Sequence, residues 1–195
     1  MRLSTLCTVL AAGFLLAGCR YQSVPDPHLS ARDAEWMSLT PPAEPDLRLE
    51  RYLVDDPTGE RPGTIVVDTK ERLLYLVLLD RKAIRYGVAV GDEAFGWTGN
   101  ARIARKAEWP DWNPPAEMVE RWPHVHPTKG GPANPLGARA LYLYDGNRDT
   151  LYRIHGTNEP EKIGRAVSSG CIRMRNIDVV DLYNRVSPNA KVIVR

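Results

Sequence analysis

His155 and Cys171 carry the most evident chemistry of the chain. They stand sixteen positions apart within the stretch Y-R-I-H-G-T-N-E-P-E-K-I-G-R-A-V-S-S-G-C-I-R-M-R, residues 152–175. A thiol is a weak nucleophile at its free pKa of about 8.5, and a neighbouring imidazole raises the thiolate fraction by taking its proton. The imidazole in turn needs an acceptor that fixes its tautomer. The carbonyl of Gly156 is the nearest candidate in sequence. Gly170 lets the backbone turn tightly before Cys171, so that the N–H groups of Ser169, Gly170 and Cys171 can face a developing oxyanion. Spacing alone leaves a plainer reading open, in which Cys171 is a buried core thiol and His155 a hydrogen-bonded strand end.

Other residues invite chemistry less strongly. His124-Val125-His126 offers two ligands at i, i+2 with no third nearby, so a surface or substrate-groove role is a better reading than a metal. His28 receives no role. Trp97, Trp109, Trp112 and Trp122 are read as packing residues before glycan-stacking ones. Gly91, Gly96 and Gly99 do not form a dinucleotide-binding fingerprint. The net charge of +2 comes without long like-charge runs, which gives nucleic-acid binding no support. No cofactor is expected.

The N-terminus reads as an address. Arg2 precedes the mostly apolar Leu3–Leu16, too short to span a bilayer, and then comes Leu16-Ala17-Gly18-Cys19. This tetrapeptide resembles the lipobox of bacterial lipoproteins. The resemblance implies a signal peptide over residues 1–18, lipidation of Cys19, and export to the cell envelope. A plain signal peptide cut after Gly18 is the alternative. Arg20 does not resemble an inner-membrane retention signal, which points to the outer membrane of a two-membrane cell. Cys7 leaves with the signal, so the mature chain keeps Cys171 as an unpaired thiol in an oxidising space.

Elements must bring His155 to Cys171. The Pro-rich stretch from Arg20 toward Arg61 reads as a linker (19–50) with a short helical piece at Ala31–Met37, reaching at most about 100 Å when extended. One domain over 51–195 follows and is expected to be mainly β. Its first part is a meander of strands at Thr64–Asp68, Leu73–Leu79 and Ala83–Val90, apolar on both faces and therefore covered on both. Gly91–Ala133 reads as irregular, with a short helix capped by Asn113 and running to about Trp122. A hairpin is expected from Ala140–Tyr144 and Thr150–Ile154 around Asp145-Gly146-Asn147. A final helix capped by Asn176 has the stripe Val179, Leu182, Tyr183, Val186. A last strand covers Lys191–Val194.

H-G-T followed by S-S-G-C-I-R-M resembles the active-site signature of the YkuD-type L,D-transpeptidases. Asn134-Pro135-Leu136-Gly137, Lys106-Ala107-Glu108-Trp109-Pro110 and Pro114-Pro115 resemble further segments of that family, so the likeness covers roughly Arg51 to Arg195. The resemblance implies a YkuD-like β-sandwich or mixed sheet with a few short helices. It makes Cys171 the acylated nucleophile, His155 the general base, and Gly156 the carbonyl that orients it. Arg173 matches an arginine that shapes the site or meets a substrate carboxylate; its plainer role is pairing with an acid. Many members read Ser-His-Gly-Cys where this chain has Ser168-Ser169-Gly170-Cys171, so a second histidine role is missing.

The implied reaction is acyl transfer from a peptidoglycan stem tetrapeptide to an amine, with release of D-alanine. The amine is that of another stem peptide, giving a 3→3 crosslink, or of a wall-attached protein. Three rivals stand beside this reading: a cysteine hydrolase of wall peptides using the same pair, a wall-binding lipoprotein without turnover, and a thiol redox sensor, which lacks a resolving cysteine.

Overall fold

The computed structural model describes residues 21–40, 46–92 and 96–195. The expected signal peptide and the expected lipidation site, Cys19, lie outside the described residues. In chain order the strands are β1 (Gln22–Ser23), β2 (Tyr52–Asp55), β3 (Ile65–Asp68), β4 (Leu73–Val77), β5 (Lys82–Gly87), β6 (Val90–Gly91), β7 (Gly99–Glu108), β8 (Arg139–Asp145), β9 (Arg148–His155), β10 (Ala166–Ser168), β11 (Ile172–Arg173) and β12 (Lys191–Val194). The helices are α1 (Ala31–Ser38), α2 (Ala116–Arg121) and α3 (Asn176–Arg185). Ten strands form one mixed sheet in the order β1-β2-β5-β4-β3-β12-β7-β8-β9-β11, and β6 pairs with β10 apart from it. The mainly β expectation is met.

The meander is formed as its apolar runs dictate. β3, β4 and β5 are antiparallel neighbours, with Ile65 opposite Leu76 and Leu74 opposite Tyr86. Ile65, Val67, Leu74, Leu76, Ile84 and Tyr86 enter the core, while Val66, on the other face of β3, is also fully buried. Each such Leu or Ile contributes roughly 1.5–3 kcal/mol by leaving water. The stripe on α3 is also as expected: Val179, Leu182 and Val186 are buried and Tyr183 packs against the core. The helix lies on β8 and β9.

Three expectations are corrected. The stretch Gly91–Ala133 contains a ten-residue strand, β7, paired with β12 and β8. Ala101 and Ile103 are its inward residues; Arg102, Arg105 and Lys106 interrupt the remainder and hide the strand from an apolar-pattern reading. Those cations find partners, as when Lys106 donates to the carbonyls of Tyr183 and Val186 at the end of α3, at 2.7 and 2.8 Å. Second, Asn113 does not cap α2, because Pro115 holds the N-cap position and no side-chain cap bond is made. Asn176 does not cap α3 either; it lies inside the first turn and its amide is used elsewhere.

The third correction concerns the linker. Over its described residues it is strapped to the domain. β1 pairs with β2, and the ring of Tyr21 meets that of Tyr52 at 5.6 Å. The buried Arg51 donates to Asp178 at 3.1 Å and to Asp26 at 2.7 Å, and also to the carbonyls of Val24 and Pro25. The helix expected at Ala31–Met37 is α1, and it docks through the buried Asp33. Arg20 alone separates Cys19 from Tyr21, so with the strap docked a 100 Å reach is not available.

Candidate active site

β9 ends at His155, and β11 lies parallel to it with Ile172 opposite Ile154 and Arg173 opposite His155. Cys171, immediately before β11, therefore stands beside the end of β9. It is two strand positions from His155, a Cα separation of about 8 Å by strand geometry. Two residues remote in sequence are brought to one sheet edge by this short parallel pairing.

Asn176 fixes the turn that follows His155. Its Oδ1 accepts from Ala138 N–H at 2.9 Å and Thr157 N–H at 3.1 Å, and its Nδ2 donates to the Thr157 carbonyl at 2.9 Å. A Cβ on Gly137 or Gly156 would stand 2.2 Å from that Oδ1, so both positions must be glycine for the clamp to close. Asn134 does similar work one loop away. Its buried amide donates to the carbonyls of Pro110, Thr128 and Lys129 and accepts from Leu136 N–H. Asn134 is thus the anchor within the Asn134-Pro135-Leu136-Gly137 segment. The sequence displays that segment without its mechanism, since an asparagine's tertiary partners leave no local pattern.

His155 is 4% exposed, and its Nδ1 lies 2.6 Å from the Gly156 carbonyl oxygen. A carbonyl only accepts, so Nδ1 carries the proton and Nε2 keeps its lone pair for a reacting partner. Burial, with the Arg173 charge second, pushes the His155 pKa down to about 3 against the opposing pull of the Gly156 carbonyl. The ring is neutral at ordinary pH.

Cys171 is half-buried and its Sγ lies 4.0 Å from the Leu151 carbonyl oxygen. Burial pushes its thiol pKa up, while the Arg153 backbone N–H and the guanidinium groups of Arg153 and Arg173 draw it down. A protonated thiol and a neutral imidazole are the resting forms these environments favour. Leu151 is a non-glycine residue at φ 63 in an irregular stretch of the β8–β9 pairing. Sequence reasoning misses it, because nothing local distinguishes it.

The loop before Cys171 is tied by the buried Ser168. Its Oγ donates to the Cys171 carbonyl at 2.6 Å and accepts from Gly170 N–H at 3.2 Å. Gly170 has φ 109, a conformation that favours glycine. Ser169 is exposed. Arg173 donates to Glu159 at 3.1 Å, the acid pairing expected as its plainer role. His124 and His126 are exposed, and among the described residues no group of three or more His, Cys, Asp or Glu is placed to hold a metal.

Trp97 stacks on Tyr152 with ring centroids 5.2 Å apart and planes at 16°. It lines two cavities: one of ≈ 330 Å³ that reaches Gly170 and Ile172, and one of ≈ 360 Å³ that reaches Leu151 and Tyr152. Both therefore touch residues adjoining the thiol. A larger cavity of ≈ 630 Å³, lined by Tyr21, Arg48, Arg85 and Arg165 among others, includes neither Cys171 nor His155.

Residues 62–194 match YkuD, the L,D-transpeptidase catalytic domain. The chain is 34% identical over 133 residues to a Fuscovulum blasticum protein named as an L,D-transpeptidase, covering 67% of this chain and 68% of that one. It is 33% identical to the Probable L,D-transpeptidase YbiS of Escherichia coli K12, covering 70% of this chain but only 45% of that longer protein. Among solved structures, an L,D-transpeptidase from Mycobacterium smegmatis shares the fold at TM-score 0.52 and 17% identity, over 68% of this chain and 58% of that one. A Brucella melitensis protein described as a Probable carnitine operon oxidoreductase is 47% identical, with TM-score 0.53 over 79% of this chain and 94% of that one. Its name differs in chemistry from those of the other relatives, which agree with one another and with the family match.

Proposed function

We propose how this chain, which belongs to the YkuD family of L,D-transpeptidase catalytic domains, performs acyl transfer on peptidoglycan stem peptides. The observation that carries the reading is the hydrogen bond from His155 Nδ1 to the Gly156 carbonyl, which leaves Nε2 as a base at the sheet edge where Cys171 sits.

Cys171 gives its proton to His155 Nε2 as the sulfur attacks the carbonyl of the third stem residue, a diamino acid. The N–H groups of Ser169 and Cys171 are the donors for the oxyanion, since Gly170 N–H is turned onto Ser168 Oγ. Collapse of the tetrahedral intermediate breaks the peptide bond, and His155 passes its proton to the leaving D-alanine amine. The charge of Arg173 disfavours the imidazolium and so helps that second transfer. An amine then attacks the thioester, with His155 as base. Arg173, held by Glu159, is assigned to shaping the site and, by exchange of that acid for a substrate carboxylate, to binding.

Export and lipidation at Cys19 belong to the same proposal. They rest on the Leu16-Ala17-Gly18-Cys19 segment and place the enzyme in the envelope, with the outer membrane favoured by Arg20. No helix among the described residues is long and apolar enough to cross a membrane. The acceptor is a second stem peptide or a protein lysine.

The test is to incubate the purified chain and its Cys171→Ala variant with disaccharide-tetrapeptides and identify the products by mass. Dimers that have lost one D-alanine, made by the wild type alone, support crosslinking. Tripeptide monomers alone favour the hydrolase, and no product from a folded wild type favours the binding module.

A further inference from the structure

We propose that the N-terminal strap, residues 21–40, positions the catalytic histidine through the buried pair Asp33–Arg139. Asp33 lies in the first turn of α1, capped by Ser30, and is 2% exposed. Its carboxylate accepts from both ends of the Arg139 guanidinium, at 2.9 and 2.8 Å, and from Trp109 Nε1 at 2.8 Å. Ser30 Oγ donates to it as well, at 2.8 Å. The ring of Trp36 meets that of Trp109 edge-on at 5.1 Å. Three side chains therefore place four hydrogen bonds on one carboxylate that belongs to the strap, and three of those bonds come from the domain.

From Arg139 the connection runs along the backbone to the base. The Arg139 carbonyl accepts from Gly156 N–H at 3.0 Å, and Ala140 pairs with His155 across β8 and β9. The next link is the Gly156 carbonyl on His155 Nδ1 at 2.6 Å. Gly156, whose carbonyl sets the imidazole, is thus hung by its own N–H from the residue whose side chain Asp33 holds. The other partners of that guanidinium are weaker or on one side: Nη1 also meets the Ala138 carbonyl, the Tyr183 ring centroid lies 5.3 Å from Cζ, Glu108 stands 4.0 Å from Nη2, and Nε is buried with no hydrogen-bond partner. Without Asp33, Arg139 loses the bidentate contact that fixes the plane of its side chain, and the backbone there is left to Asn176 on Ala138 N–H, Trp109 N–H on the Ala138 carbonyl at 2.9 Å and the pairing of Arg139 with Glu108. The strap is then part of the catalytic apparatus, and its release lowers turnover without touching substrate.

This inference rests on His155 being the base, and the experiment separates the two. Turnover of disaccharide-tetrapeptide is measured for the full chain in detergent and for its Asp33→Asn, Ser30→Ala and His155→Ala variants, with thermal unfolding recorded for each. The expected result for Asp33→Asn is a kcat about tenfold lower with KM unchanged, since a small misplacement of a catalytic group slows chemistry without altering binding. Ser30→Ala, which keeps the carboxylate and loses only the cap and one of its hydrogen bonds, is expected to fold and to lose roughly threefold in kcat. Wild-type kcat in a folded Asp33→Asn, or a change confined to KM, overturns the proposal. If Asp33→Asn does not fold, Ser30→Ala decides it by the same criterion, wild-type kcat being the contrary result. Full activity in His155→Ala removes the base assignment itself and with it the group the strap is said to position.

Discussion

The meander β3–β5 and the catalytic side built on β7–β9 belong to one sheet but are held by different forces. In the meander, Leu74, Leu76, Ile84 and Tyr86 interlock with no exposed surface or almost none. On the catalytic side the connecting loops are set by single buried polar groups: Asn134 on four backbone groups, Asn176 on three, Asp33 on an arginine and an indole. Apolar contact is non-directional and tolerates swaps of similar volume. A buried amide gripping three backbone groups has one solution, and its loss leaves each partner unsatisfied. Stability on one side is spread over many contacts, whereas geometry on the other is concentrated in a few.

The largest test of this contrast is Asn176→Leu, which keeps the branched shape at a larger volume and removes the clamp. It is expected to destabilise by about 4 kcal/mol, from three orphaned backbone groups at roughly 1–3 kcal/mol each less relaxation, and to reduce turnover in whatever remains folded. Urea unfolding and kcat measured together check it. Leu74→Ala in the meander is expected to cost about 3 kcal/mol while leaving the kcat of the folded protein unchanged. Comparable turnover losses in both variants would erase the distinction between the two regions.

Smaller effects sharpen it through pH. With His155 pushed down to about 3, kcat/KM has no acid limb near 6.5, where an ordinary imidazole would place one; activity falls only as pH approaches 3. A limb at 6.5 in the pH–rate profile would mean that the ring is not buried as described. For Asp33, burial acts to raise the pKa, but the hydrogen bonds from Arg139, Trp109 and Ser30 outweigh it and hold the carboxyl well below the usual range. A carboxyl with a depressed folded-state pKa stabilises fully above its unfolded pKa of about 4, and that contribution is lost as pH falls below it. Strap docking should therefore weaken below about pH 4. The signal is a change in Trp36 and Trp109 fluorescence that is absent in Asp33→Asn.

The same division explains what is legible in the sequence. The meander, the β8–β9 hairpin, the stripe of α3 and the last strand follow from apolar runs and turn residues, which are local signals. The family signature singles out Cys171 and His155, and the parallel pairing of β11 with β9 brings the segments that carry them side by side. β7 is not legible, because Arg102, Arg105 and Lys106 break the apolar pattern and the acceptors of Arg102 and Lys106 lie on other segments. Asn113 and Asn176 both read as caps, the commonest local use of asparagine. The amide of Asn176 is instead taken by partners 19 and 38 residues away. The linker reading fails for a similar reason. A proline-rich polar stretch gives no sign that Asp33 will meet Arg139, 106 positions on. Polar partners remote in sequence are what a single chain hides.

The central claim is that Cys171 becomes acylated with His155 as its base, and intact-protein mass spectrometry after brief exposure to a tetrapeptide donor tests it most directly. The account predicts an adduct on Cys171 equal to the donor less D-alanine, at least a hundredfold slower to form in His155→Ala, within the roughly 10²–10⁴-fold range of a lost general base, and absent in Cys171→Ala. An adduct on another residue, or product formation that persists in Cys171→Ala, would contradict it.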